Sequence, residues 1–353
     1  MGKSKVLKIV VVVCIILLII VVALVGMKIW KDKQTNEVAG NMEEVNTVQL
    51  EPELQPEPEK QVQIFQGVER PIAVMIDNHK GAMPQAGLND AYMVYEMIVE
   101  GGETRLMLLL KGKELDKVGP IRSARHYFLD YALENDAIYV HYGWSPQAQS
   151  DIPKLGVDNI NGIFYSEKSF WRVKDKYAPH NAVTNTENIK AIAKDKDYRL
   201  GSTKESVLNY TTEEVTLKES TQVAQTVTIP YSDSNTVTYE YDAQTGRYTR
   251  YSRGTKQVDW VTKEDVTTKN IIITFVKNTT LNDGENKGRQ TLYNTGEKEG
   301  YYITNGKAIK IICEKNTRSA QTVYKDELGN EIEVNDGNTF MQICPIDSKV
   351  TFE

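Results

Sequence analysis

The sequence predicts an α+β protein with three parts: an N-terminal single transmembrane helix, a mixed α/β front domain and a mostly β C-terminal domain. Three observations lead there. An unbroken apolar run fills the N-terminus. Strand-like and helix-like segments interleave between residues 67 and 205. From 215 to 353, β-branched and aromatic residues alternate with polar ones, punctuated by turn signals.

The elements follow in chain order. Residues 1–30 read as a membrane anchor: Lys3, Lys5 and Lys8 precede an apolar run from Ile9 to Met27 that stops at Lys28. A spanning helix needs roughly 20 such residues, whereas a cleavable signal has a core of about 7–15 and a small-x-small cleavage site. The run has no polar face, which excludes an interfacial amphipathic helix. Residues 31–66 form an acidic Pro/Glu stalk, typified by LEPELQPEPEK, whose Glu-Pro repeats favour an extended solvated chain. In the front domain, Ile72 to Ile76 read as a buried strand and AYMVYEMIVEGGETRLMLLLKG as two more, split at Gly101-Gly102. After Gly119-Pro120 the stripe Ala124, Phe128, Tyr131, Ala132 predicts a helix, followed by the strand AIYVHYG and a short helix in SPQAQSDIPKLG. In the rear domain TGR, NDG, TNG and LGN mark turns between hairpin strands. Cys313 and Cys344 lie in two of these strands. A disulfide there would contribute about 3 kcal/mol in an oxidising compartment, and two buried free thiols are the alternative.

A net charge of -6, with no Lys/Arg run outside the N-terminal flank, gives no basis for a nucleic-acid partner. All four histidines fall between residues 70 and 190, so any chemistry is expected in the front half. There VGPIRSARHYF places Arg122, Ser123 and Arg125 at the entrance of the predicted helix, where free backbone N–H groups and two guanidinium groups would cradle an anion. Asp77 and Asn78 end the first strand, and Glu96, Glu100, Glu103 and Arg105 surround the Gly-Gly turn. His141 and Ser145 end a third strand, and Arg172, His180 and Asn181 lie in the segment FWRVKDKYAPHN. Ligands gather at carboxyl ends of strands in α/β layers, so these fourteen residues are the ligand-binding candidates. The same Arg and Glu residues also fit an internal ion-pair network. No HExxH, paired-Cys or short H-x-H pattern suggests a metal, and no Gly-rich phosphate loop or G-x-S-x-G elbow is present. No cofactor is expected.

RPIAVMIDNH, GLNDAYMVYEMIVEGGETRLM, VGPIRSARHYFLDYA, AIYVHYGWSPQA and APHNAVT occur in this order. Together with the SRGTKQVDW and GNTFMQICP regions they resemble the YerB-like family of Gram-positive envelope lipoproteins, whose two-part region is a domain of unknown function. The resemblance covers residues 66 to 350. It implies an extracytoplasmic, membrane-attached protein and no known reaction. Cys14 follows Val13 rather than a small residue, which departs from lipoprotein anchoring and favours a helix anchor. The expected protein therefore sits in the cell membrane by a single span, with its body outside the cytoplasm. Its expected role is to bind an anionic or peptide-like component of the cell wall or envelope. A cell-envelope hydrolase using carboxylate and histidine chemistry in the same cleft is the alternative.

Overall fold

The computed structural model describes residues 60–353 and the isolated positions Ala23, Gly26 and Met27. Apart from those three positions, the expected anchor and the stalk as far as residue 59 lie outside the described residues. No helix among the described residues is long and apolar enough to cross a membrane.

The front half supplies β1 (Ile72–Asp77), β2 (Met93–Ile98), β3 (Thr104–Leu110), β4 (Ile138–His141) and β5 (Asn159–Asn161). Its helices are α1 (Leu129–Glu134), α2 (Pro146–Lys154) and α3 (Thr186–Asp195). The rear half supplies β6 (Thr226–Ser232), β7 (Asn235–Asp242), β8 (Arg247–Ser252), β9 (Asn270–Val276), β10 (Gly296–Thr304), β11 (Lys307–Lys315), β12 (Val323–Lys325), β13 (Thr339–Pro345) and β14 (Thr351–Phe352). One mixed ten-stranded sheet runs β12-β11-β10-β9-β13-β2-β3-β1-β4-β5. A smaller sheet holds β8-β7-β6-β14 with short pairings at Thr255–Lys256 and Thr267–Thr268.

These data correct the expected fold class. Residues 60–353 form one compact unit, mostly β, with three short α-helices. The reason lies at β2. It pairs antiparallel with β3 on one side and parallel with β13 on the other, from Met93↔Thr339 to Met97↔Ile343. A strand flanked on both sides and covered on both faces reads as a continuous apolar run, and MVYEM is buried throughout. Its partner comes from the other end of the chain, so no local pattern announces the joint. The end of the expected stalk segment is also tied to the body: Gln63 and Ile64 donate their N–H groups to the Asp336 carboxylate at 2.7 and 2.8 Å.

Alternation along the strands builds two cores. Met75, Tyr95, Met107, Ile272 and Met341 face one way and are covered by Phe128, Leu129 and Tyr131 around α1 and Ile152 of α2. Val74, Ile76, Leu108, Ile273 and Phe340 face the other way, beneath Val227, Ile229, Tyr239 and Tyr248 of the small sheet and Ile189 of α3. Truncating a central side chain such as Ile273 to Ala costs about 2–5 kcal/mol. The β10–β11 hairpin shows how local chemistry sets register. Its two-residue loop is Asn305-Gly306, with φ of 50° and 72°, as a type I′ turn requires.

Of the two readings of Cys313 and Cys344, the disulfide is not formed. Cys313 and Cys344 are free and buried. Cys313 on β11 faces the first core and Cys344 on β13 the second, with β10 and β9 between their strands. They project from opposite faces of the sheet.

Candidate functional site

The carboxyl ends of β1, β2 and β4 and the start of β3 share one edge of the large sheet. Register alone sets Asp77 opposite Arg105. Beyond β4, the segment after Gly119-Pro120 continues along β1 through a bridge between Ile76 and Ile121. Asp77 N donates to Pro120 O, and Arg122 N to Met75 O, both at 2.9 Å. These bonds hold residues 121 and 122 extended against β1, and a second bridge joins Ala124 to Trp144. Helical structure begins only with the 3₁₀ turn His126–Phe128 that leads into α1. Arg122 and Ser123 therefore lie ahead of the helix and only Arg125 stands at the cap of the 3₁₀ turn, which corrects the expected cradle. The N–H groups of Ile121, Arg122 and Ala124 are taken by Ala182 O, Met75 O and Gly143 O.

The same pairing brings Arg122 beside Asp77, its Nε 3.3 Å from Asp77 Oδ2. His180 Nδ1 is 2.7 Å from that oxygen, and His79 N donates to Oδ1 at 3.1 Å. The rings of His79 and His180 stack at 4.3 Å with 11° between planes. His79 Nδ1 accepts from Gly81 N at 3.0 Å, so its proton lies on Nε2. Asp77 itself is buried, but the side chains of Arg122 and His180 are 27% and 20% exposed. This group reaches water.

Behind it, Arg125 grips Glu100 with two parallel bonds of 2.6 and 2.9 Å, the strong bidentate geometry. Arg105 donates to Ser123 O at 2.6 Å and lies 3.7 Å from Glu100. Burial, followed by repulsion from Arg125, lowers Arg105 to about 9, still charged at neutral pH. Burial pushes the Glu100 carboxyl up, but Arg125 and Arg105 hold it below the usual range. Three guanidinium groups, Arg105, Arg122 and Arg125, thus face two carboxylates, Asp77 and Glu100, which leaves one positive charge over.

A second group at the same edge has a closed centre, Glu96–Arg250, and a partly exposed rim pair, Glu103–Arg253. Glu96 and Arg250 form a 2.6 Å pair with both side chains fully buried. Asn78 and Thr104 also donate to Glu96, at 3.1 and 2.7 Å. Gln85 donates to Asn78 Oδ1 at 2.9 Å. Glu103 pairs with Arg253, whose guanidinium also donates to Asn78 O at 3.1 Å. Arg250 and Arg253 come from β8 and the turn after it, and were not among the sequence candidates. One signal was present. Along β8 the inward positions are Tyr248, Arg250 and Ser252, and an arginine on the inward face of an alternating strand demands a buried carboxylate.

The remaining candidates have structural duties. Ser145 caps α2 by accepting from Ala148 N at 3.2 Å. His141 is buried between Gly143 O at 2.8 Å and Asn159 Oδ1 at 3.2 Å, and burial pushes its imidazole down to about 4. Ser123 Oγ donates to Tyr142 O at 3.1 Å. Arg172 donates to Asn181 Oδ1 at 2.6 Å, which holds the loop ahead of His180. Among the described residues no group of three or more His, Cys, Asp or Glu side chains is placed to hold a metal ion.

Comparison with known proteins places this edge in a family. A model described as "Protein of unknown function (DUF3048) N-terminal domain" matches residues 59–199, and its C-terminal counterpart matches residues 227–341. The "Putative lipoprotein YerB" of Bacillus subtilis (strain 168) is 36% identical over 207 residues, 58% of this chain and 61% of that protein. The match thus spans about three fifths of the curated relative's length. The crystal structure of YerB protein from Bacillus subtilis superposes with a TM-score of 0.72 at 28% identity, covering 83% of this chain and 97% of that chain. The open cluster around Asp77 draws wholly on the first matched region, and the closed pairs join the first region to the second. The chain carries both halves in order and belongs to this two-part, YerB-like DUF3048 family.

Proposed function

We propose that this is an envelope-associated binding protein whose Asp77–Arg122–His180 edge takes an anionic group. The observation that carries the reading is the charge imbalance at the sheet edge. Arg105, Arg122 and Arg125 face only Asp77 and Glu100, and Arg122 and His180 are the basic members most open to solvent. An incoming phosphate or carboxylate would meet the guanidinium of Arg122 and the outer ring nitrogen of His180, with the buried Arg105 adding field in a low-dielectric setting. The relative named as a lipoprotein supports a membrane-attached location outside the cytoplasm. Titration of inorganic phosphate into the protein tests the reading. Saturable binding is expected, weakened at least about tenfold in Arg122→Ala, while the melting temperature stays within a degree or two. Unchanged binding in the variant contradicts it. A reporter fused to the C-terminus tests the location and is expected to be active only outside the cytoplasm.

A second reading, an envelope hydrolase, has one observation in its favour. Asp77 holds His180 Nδ1 at 2.7 Å, which leaves Nε2 oriented to take a proton from water, the arrangement of a general base and its orienting carboxylate. Asp77→Asn would then abolish hydrolysis of a susceptible envelope ester or amide while sparing phosphate binding. A variant that loses binding alone favours the non-catalytic reading.

A further inference from the structure

The outer edge of β11 is only partly covered. In an antiparallel ladder, alternate residues of a strand turn their N–H and C=O groups towards the same neighbour. Ala308 turns away from β10: its N–H donates to Gln222 O at 3.1 Å and its carbonyl accepts from Ser220 Oγ. Lys310 and Ile312 therefore face the same way. Ile312 is taken by β12 through its pairing with Lys325. Past Lys325 the chain turns off, held by the Asp326 carboxylate, which accepts from Leu328 N and Asn330 N at 2.9 and 2.8 Å. Lys310 is exposed, and among the described residues nothing pairs with its N–H or C=O on that side. The opening is a hollow of about 630 Å³, walled by residues 219–222 on one side and by Asp326, Glu327 and the exposed Leu328 on the other.

A smaller hollow of about 220 Å³ continues over the sheet face, sharing Tyr301, Lys310 and Glu327 and adding Phe275 and Glu299. Tyr301 and Lys310 are cross-strand partners, so a residue paired with Lys310 would set its own side chain on the same face, beside Tyr301. The charges there are unbalanced. Glu219, Glu299 and Glu327 are exposed, and among the described residues none of them is in an ion pair. With Asp326 they face two cations, Lys310 and the neighbouring Lys307, whose ammonium is bonded back to Ser220 O at 3.0 Å. We propose that this opening captures an extended basic peptide segment. One residue of the segment pairs with Lys310 through its own N–H and C=O, and its lysine or arginine side chain runs along Tyr301 towards Glu299 and Glu327. Main-chain bonds then give affinity and the side-chain hollow gives specificity. The stretch from Ala308 to Ile312 is roughly 13 Å long at about 3.3 Å per residue, so it admits a short segment and not a growing sheet. The acidic Pro/Glu stretch that precedes residue 60 carries the wrong charge for it. The site is independent of the anion reading above, because it shares no side chain with the Asp77 cluster.

Fluorescence anisotropy on the purified full-length protein tests it, with fluorescein-labelled Val-Thr-Lys-Val-Thr-amide as probe. One control peptide carries Glu in place of Lys, and another is N-methylated at the Lys amide, which removes the donor to Lys310 O. Saturable binding of the probe is expected, at least about tenfold weaker for either control. Lys310→Pro removes the open N–H at an edge position, where proline is tolerated, and should weaken binding at least about tenfold. Lys310→Ala keeps that N–H and removes a competing cation, so it should bind at least as tightly as the wild type. Glu299→Gln and Glu327→Gln should each weaken binding several-fold, and Arg122→Ala not at all. If Lys310→Pro fails to fold, the N-methylated peptide tests the same pairing from the ligand side. The proposal is overturned by no saturable binding to the wild type, or by equal binding of either control peptide. It is equally overturned by wild-type affinity in a folded Lys310→Pro protein, or by lost binding in Lys310→Ala.

Discussion

Two charged clusters share one edge of the large sheet, and they differ in where their partners come from. In the closed cluster, front-half carboxylates meet rear-half arginines: Glu96 with Arg250 and Glu103 with Arg253. In the open cluster every member is front-half, and arginines outnumber carboxylates. The small sheet therefore supplies arginines that neutralise one set of strand ends, burying Glu96 outright and leaving Glu103 partly exposed, while the other set keeps an excess of arginines. Acidic tips and basic residues close in sequence need not pair with each other. Register and the second sheet decide which charges are satisfied, and the proposed anion would bind at the unsatisfied remainder.

The largest expected effect breaks the closed cluster. Glu96→Gln leaves the Arg250 guanidinium buried without a counter-charge, and breaking such a pair costs about 3–5 kcal/mol. Denaturant unfolding should show this as a lower midpoint. A loss under 1 kcal/mol would mean that the pair is hydrated.

Next comes pH. The folded value for His141 is about 4, against roughly 6.5 in an unfolded chain. Its contribution is fully present above pH 6.5 and is lost as pH falls towards 4, because the unfolded chain takes up the proton first. The linked change is roughly 3 kcal/mol at most. His141→Asn should show a shallower decline of stability over that window than the wild type, and equal slopes would contradict the assignment.

The open cluster should respond in the opposite way to the closed one. Arg122→Ala removes a partly exposed partner of Asp77 and should cost only about 1 kcal/mol of stability, while anion affinity falls at least about tenfold. The smallest effect belongs to an exposed control pair. Lys256–Asp265 is exposed on both sides, so Lys256→Ala should leave the denaturant midpoint unchanged.

Much of the architecture was legible in the sequence, and the failures have physical causes. Ile72–Asp77 was readable as a strand because a central buried strand is a continuous apolar run between Pro71 and a polar turn. The helix Pro146–Lys154 announced itself by Ser145 and a proline at its start. The stripe from Ala124 to Ala132 misled at its front end, since residues 121 and 122 are held extended by bonds to β1 that no local spacing encodes. The joining of both halves into one sheet depends on β2 pairing with β13, whose partners, such as Met93 and Thr339, are 246 residues apart. Of the site, Asp77, Arg122 and His180 were named from sequence and are brought together. His79 was visible beside them but its stacking on His180 was not. Arg250 lay outside view because its role is set by a carboxylate more than 150 residues earlier.

A crystal soaked in tungstate, an oxyanion visible by its anomalous scattering, tests the central claim most directly. The anion should occupy the open edge, within hydrogen-bonding distance of the Arg122 guanidinium and the outer nitrogen of His180. It should be absent from the Glu96–Arg250 region and lost from that edge in Arg122→Ala crystals. An anion that binds only elsewhere, or an empty edge in the wild type at saturating tungstate, would contradict the account.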